Sequence, residues 1–232
     1  MKTHAIWKRT AACVAAICMV LSMAACGSKD GNSIGSGREV YQEYVIGIMD
    51  ANYLGQYDKY IEITGSDQEQ AQNIYEANTQ DFAVAIEEAL SIKADVVSIS
   101  LTERLVQVAK TIYGQVKYKA VDVVRNGDIY TVTVEIEPVD FFGTVKQPFQ
   151  SAVDSFNNRA KNGEFDEYSD TEYEEAYGEA VTEALEKSVS TVTYGTKITV
   201  DVTLDYDKEN NLYVISDEQM EALDGKVVNM SR

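Results

Sequence analysis

Histidine, tryptophan and cysteine are nearly missing from this chain of 232 residues, and proline occurs only twice. The one histidine is His4, the one tryptophan is Trp7, and two of the three cysteines are Cys13 and Cys18. Beyond residue 25, only Cys26 remains of these three residue types. A domain built from the rest has no Ser-His-Asp or Cys-His nucleophilic machinery, no histidine general base and no His- or Cys-ligated zinc, copper or haem. It also has no disulfide, so an ordinary hydrophobic core must hold it, and about 195 residues are enough for one domain or two small halves. Carboxylates, lysines, tyrosines and hydroxyls are what remain for chemistry, and no cofactor is expected. Basic residues are scarce as well: 20 Lys and Arg face 38 Asp and Glu, a net charge of −18. Such a chain repels nucleic acid, which is excluded as a partner.

Long apolar runs are also few. Lys2, Lys8 and Arg9 precede an uncharged stretch from Thr10 to Ala25 that includes Val14, Ile17, Val20 and Leu21, the layout of the n-region and h-region of an export signal. The stretch is shorter than the about 20 apolar residues of a spanning helix. Met23-Ala24-Ala25-Cys26 follows. Small residues before a cysteine resemble a lipobox, with Met23 where leucine is usual. Cleavage between Ala25 and Cys26 is therefore expected, with acyl chains such as palmitate carried on Cys26. An ordinary secretory signal with Cys26 incidental is the alternative, but a lone thiol at the start of an exported chain argues for acylation. Two or three acyl chains, at about 0.8 kcal/mol per buried methylene, make a durable anchor. The expected location is the extracytoplasmic face of the cell membrane, with the lipid anchor as the link to it. Loss of residues 1–25 removes three basic residues and no acidic one, taking the net charge to −21.

Residues 26–38 are rich in Gly, Ser and short polar side chains and read as a tether. From Glu39 to Leu54, Val40, Tyr44, Val45, Ile48, Met49 and Leu54 recur at helical spacing, with Gly55 as the stop. A short helix over Gln56–Ile63 follows. Ser66-Asp67-Gln68-Glu69 and Ser100-Leu101-Thr102-Glu103 read as capping boxes opening two further helices, the first reaching Leu90. Val116–Arg125 and Ile129–Pro138 flank Asn126-Gly127-Asp128, a strong hairpin signal. Pro148 is expected near the start of a helix ending at Asn162 and Gly163. Ser169-Asp170-Thr171-Glu172 caps the next helix. A strand over Tyr194–Tyr206, a second over Leu212–Ile215, and a Ser216-capped helix ending near Gly225 complete the pattern.

The fold class is α+β: an antiparallel sheet built from two hairpins, with helices packed on one face. Two separate small sheets are the alternative. The order of helices then hairpin, twice over, reads as a weak internal duplication of residues 39–232 into halves of about 39–140 and 141–232. Thr131-Val132-Thr133-Val134-Glu135-Ile136-Glu137-Pro138-Val139-Asp140-Phe141 and Asn211-Leu212-Tyr213-Val214-Ile215-Ser216-Asp217-Glu218 resemble segments of small Gram-positive lipoproteins of unknown function. The domains of those lipoproteins look like cystatin-like or nuclear-transport-factor-2-like cones. The resemblance covers about half of the chain beyond residue 25 and implies a fold and an address, with no catalytic motif.

Fifteen tyrosines are the most suggestive feature. Tyr41, Tyr44, Tyr53, Tyr57 and Tyr60 cluster in the first helices, where amphipathic rings could line a sugar or peptide cleft. The favoured reading places them at the core margin with their phenols toward water. Asp205, Asp207 and Glu209 alternate as in the first half of a calcium loop, but Asn210 and Ser216 stand where that loop needs Gly and Glu, so a solvated turn is favoured. The acidic run Glu164–Glu175 reads as a solvated helix start, and Asp140 as a turn or cap residue. The leading functional expectation is a non-enzymatic surface lipoprotein that engages a protein, peptide or glycan. The alternatives are a carboxylate-dependent hydrolase acting on cell-wall polymers and a structural spacer.

Overall fold

The computed structural model describes residues 37–207 and 212–231; the signal segment, Cys26 and most of the tether lie outside them. Helix α1 (Arg38–Met49) buries Val40, Tyr44, Val45, Ile48 and Met49 along one stripe and runs directly into a wider π-helical turn, Asp50–Leu54. A π turn leaves backbone carbonyls off the α-helical ladder. Here asparagine amides meet them: Asn52 Nδ2 donates to the Ile48 carbonyl at 2.8 Å, and Asn78 Nδ2 donates to the Asn52 carbonyl at 2.8 Å. Gly55, at φ 63°, ends the segment in the left-handed region that glycine adopts without strain.

Helix α2 (Asp58–Thr64) leads into α3 (Gln68–Leu90), and α4 (Ile99–Tyr113) packs beside α3. Both caps differ from the expected boxes. Asp67, not Ser66, accepts the Gln70 N–H, and Ser98, not Ser100, accepts the Leu101 N–H. In each case a competing capping side chain lies close by, and the start of the buried stripe decides between them.

Strands β1 (Lys117–Asn126) and β2 (Ile129–Glu137) form the expected hairpin, with Gly127 at φ 64° in its turn. A bulge between Ala120 and Asp122 leaves Val121 without a cross-strand partner. Beyond Pro138 the chain leaves this sheet as β3 (Val139–Asp140). Asp140 then caps α5 (Phe141–Lys161), its carboxylate accepting the Gly143 N–H at 2.9 Å. Pro148 therefore lies inside α5 and not near its start. The cap at Asp140 outweighs the Pro-first signal, and the helix goes without the N–H that Pro148 cannot supply. Helix α6 (Asp170–Ser188) opens with the expected reciprocal box between Ser169 and Glu172.

The expected strand over Tyr194–Tyr206 is two strands. β4 (Thr193–Tyr194) pairs with β3, while β5 (Ile198–Asp207) pairs with β2; the Gly195 N–H donates to the Pro138 carbonyl at 2.8 Å where the chain crosses over. β6 (Leu212–Val214) follows, then α7 (Asp217–Val227), which runs past Gly225, and β7 (Val228–Asn229). The two hairpins join in one antiparallel sheet of order β1-β2-β5-β6. A smaller sheet, β4-β3-β7, includes a parallel pairing of Val139 with Val228. Its two-residue strands carry no periodicity a sequence could display.

The inner face of the large sheet is the core. Val132, Val134, Ile136 and Leu204 are fully buried, and the register sets Val132 opposite Val202 and Val134 opposite Val200. Each such side chain contributes roughly 1.5–3 kcal/mol of burial. α1 and α7 pack on this face; α3 packs on the π turn, α4 on α3, α6 on α4 and α5 on α6, with α5 also against β4. β6 pairs only with Asp205–Asp207 of β5. Two positions before that pairing, the Thr203 N–H donates to Gln219 Oε1 at 2.7 Å and Gln219 Nε2 donates to the Thr203 carbonyl at 3.2 Å. The α7 side chain thus occupies the place of a neighbouring strand.

Candidate functional site

Helix α1 lies against β1 and the start of β2, and this brings rings from four segments together at the hairpin end of the sheet. Tyr41 of α1 stacks on Tyr130 of β2, centroids 3.6 Å apart and planes 18° apart. Tyr213 of β6 meets both edge-on, at 5.3 and 5.2 Å. Tyr206 of β5 packs on Tyr213 at 5.2 Å, across the strand pair that sets the two residues opposite each other. The β1–β2 register puts Arg125 opposite Tyr130, with its guanidinium 5.4 Å from the ring centroid. Arg125 Nε is fixed by donation to the Gly127 carbonyl at 2.8 Å. Below the cluster, the Tyr44 hydroxyl donates to the Tyr213 carbonyl at 2.9 Å. Tyr130 is buried, whereas Tyr41, Tyr206 and Tyr213 are half-buried.

The electrostatics of this cluster suit contact more than proton transfer. Burial, followed by its hydrogen bond and proximity to Tyr130, holds the Tyr41 phenol far above the ordinary tyrosine range. Burial raises Tyr213 as well. Both are neutral at any physiological pH and can donate or accept a hydrogen bond without ionising.

A second polar constellation sits at the other end of α1. The Tyr118 hydroxyl donates to Asp50 at 2.8 Å. Burial lifts the Asp50 carboxyl above its ordinary range, and the bond from Tyr118 only partly offsets this. Tyr118 packs at 6.3 Å from Tyr53, whose hydroxyl donates to buried Asp224 at 2.7 Å. These bonds tie β1 and α7 to the π turn and satisfy polar groups that packing would otherwise strand.

The five tyrosines singled out from the sequence do not line one cleft. Tyr44, Tyr53 and Tyr60 are core residues, each 1% exposed or less. Only Tyr41 and Tyr57 are partly accessible, and they belong to different clusters, Tyr57 meeting Tyr75 at 6.5 Å. Tyr130, Tyr206, Tyr213 and Arg125 complete the Tyr41 cluster without having been candidates. The available signal was the Asn-Gly hairpin register, which sets Arg125 against Tyr130. Asp205 is exposed and Asp207 half-buried in β5, while Glu209 lies outside the described residues. Among the described residues, no group of three or more acidic, His or Cys side chains is placed to hold a metal ion. Acids of the Glu164–Glu175 run are engaged in structure: Glu164 with Arg159, Glu172 in its cap, Glu174 with Lys93, and Glu175 with Ser98.

No protein-family model matches the chain, and no curated protein matches it. The fold is similar to that of a solved structure described as "a putative lipoprotein (ycdA) from Bacillus subtilis", with a TM-score of 0.55 and 15% identity. The match covers 81% of this chain but only 56% of that one. At this identity the likeness shows a shared fold. Among the described residues no helix is long and apolar enough to cross a membrane.

Proposed function

We propose that the protein is a lipoprotein held at the extracytoplasmic membrane face through Cys26, and that residues 39–232 form a non-enzymatic interaction domain. The observation that carries the address is Cys26 itself. It follows a basic n-region, an apolar h-region and Ala24-Ala25, and it is the one cysteine beyond residue 25. The fold shared with a Bacillus subtilis chain described as a lipoprotein supports this reading. So does the finer resemblance of two segments to cystatin-like or nuclear-transport-factor-2-like domains, since both contribute strands to the same four-stranded sheet.

For the interaction itself, the supporting feature is the cluster of Tyr41, Tyr130, Tyr206 and Tyr213, an aromatic surface with neutral phenols and one guanidinium. Asp50 and Glu87, the carboxyls raised by burial, face Tyr118 and Thr102 respectively. Each is thus engaged with a hydroxyl of the fold. The test of the address is fractionation. Wild-type chain is expected in the membrane fraction with a mature mass that includes the acyl groups, and Cys26→Ala is expected in the soluble fraction. A Cys26→Ala protein that stays with the membrane defeats the proposal.

A further inference from the structure

The tether and the tyrosine cluster meet at the same end of the domain. Arg38 begins α1, and Tyr41, less than one turn later, stacks on Tyr130 of the first hairpin. Next along the strand from Tyr130, and so on the outer face of the same hairpin tip, stands Ile129, 41% exposed, with Val124 at 53% and bulged Val121 at 44% on the paired strand. Three of the six large hydrophobic side chains exposed among the described residues therefore lie on this one hairpin. Gly37 stands eleven positions after Cys26, a length of chain that in any conformation spans at most about 40 Å. A domain of this length has a radius of gyration of about 16 Å. The hairpin end is thus the part of the domain that reaches the bilayer with the least extension of the tether.

We propose that this end rests on the lipid surface to which the chain is anchored, with Val124 and Ile129 entering the headgroup layer. The half-buried rings of Tyr41, Tyr206 and Tyr213 would lie at its level. The proposal rests on the anchoring reading above and names the lipid surface as the partner of the same cluster. Tyrosine suits this position because its ring is apolar and its hydroxyl is wet, which is why it collects at membrane–water boundaries. Two aliphatic side chains are too little to hold a free domain, and the net charge of −21 gives no Coulombic attraction to anionic lipid. The covalent anchor supplies the missing term by keeping the hairpin at high effective concentration beside the surface.

The chain's composition provides the probe. Once the signal segment with Trp7 is removed the protein has no tryptophan, so Ile129→Trp creates a single emitter. Ile99→Trp is the control, at an 80% exposed position on α4, which packs on α3 and α6. Each variant, lipidated at Cys26, is reconstituted into phosphatidylcholine vesicles with and without brominated acyl chains. Emission from Ile129→Trp is expected to fall at least twofold with the brominated lipid, and emission from Ile99→Trp to be unchanged. Val124→Trp is expected to behave as Ile129→Trp does and serves if that variant misfolds by circular dichroism. Flotation without quenching at either hairpin position overturns the orientation while leaving the anchoring intact, as does equal quenching at positions 129 and 99. A blue shift that grows with protein density without quenching also overturns it, in favour of contact between copies. Failure of the lipidated chain to float overturns the anchoring and the orientation with it.

Discussion

Glu87 shows how much a single side chain can set against a well-packed core. It is 2% exposed on α3, with Oε1 lacking any hydrogen-bond partner. Burial raises its carboxyl pKa, and a bond from Thr102 only partly opposes this. A carboxyl raised in the folded state binds its proton more tightly there than in the unfolded chain, so the protein loses stability as pH rises through that interval. Glu87→Gln removes the charge and keeps the shape. It is expected to raise the unfolding free energy at pH 7 by on the order of 1 kcal/mol, and the gain should vanish near pH 4. Denaturant titrations at the two pH values check this, and an equal gain at both would contradict it. Burial raises Tyr41 in the same direction, but a phenol is already neutral at pH 7, so its surroundings cost the fold nothing there.

Among the elements, the α4–α6 contact is packed closely around a glycine. A Cβ added at Gly178 of α6 would lie 2.9 Å from Leu101 Cδ1 of α4, closer than packed carbons approach. Gly178→Ala is therefore expected to destabilise by about 1–3 kcal/mol through overpacking, despite alanine's better helix propensity. At the rim of the same contact Arg104 holds Glu186 through two bonds, at 2.8 and 2.9 Å, and also pairs with Glu179. The bond from Arg104 depresses the Glu186 carboxyl, so its contribution is present at neutral pH and is lost as pH falls through the depressed value. The partners are partly exposed, and Arg104→Ala should cost roughly 1 kcal/mol or less, with most of the loss removed by high salt. Thermal melts across salt and pH read both effects. What the sequence revealed of these elements follows their length. Long amphipathic helices and the Asn-Gly hairpin were legible because many residues repeat one period. The two-residue strands β3, β4 and β7 were not, since each is defined only by the partner it meets. The helix starts at Asp67, Ser98 and Asp140 turned on which of several neighbouring caps the buried stripe selected. The tyrosine cluster needed α1 to be laid on the sheet before Tyr41 and Tyr130 could be neighbours at all, and the same placement buried Tyr44, Tyr53 and Tyr60.

For the whole molecule, the decisive fact is the order of packing: α1 and α7 on the inner face of the sheet, α3 on the π turn, then α4, α6 and α5 each on the helix before it. That order leaves the edge of the sheet beside β5 covered by no strand between Ile198 and Thr203 among the described residues, and at Thr203 the Gln219 amide occupies it. An anchored protein diffuses in two dimensions, where neighbours meet often and in similar orientations. An open strand edge there would template pairing from one copy to the next. Gln219→Ala is expected to leave the fold intact, with at most about 1 kcal/mol of stability lost. It should also promote self-association at high concentration, visible as a larger species in sedimentation while the wild-type chain stays unassociated. A single amide reaching back from a helix would then act as crowd control, letting identical domains stand close together on one surface without zippering into sheets.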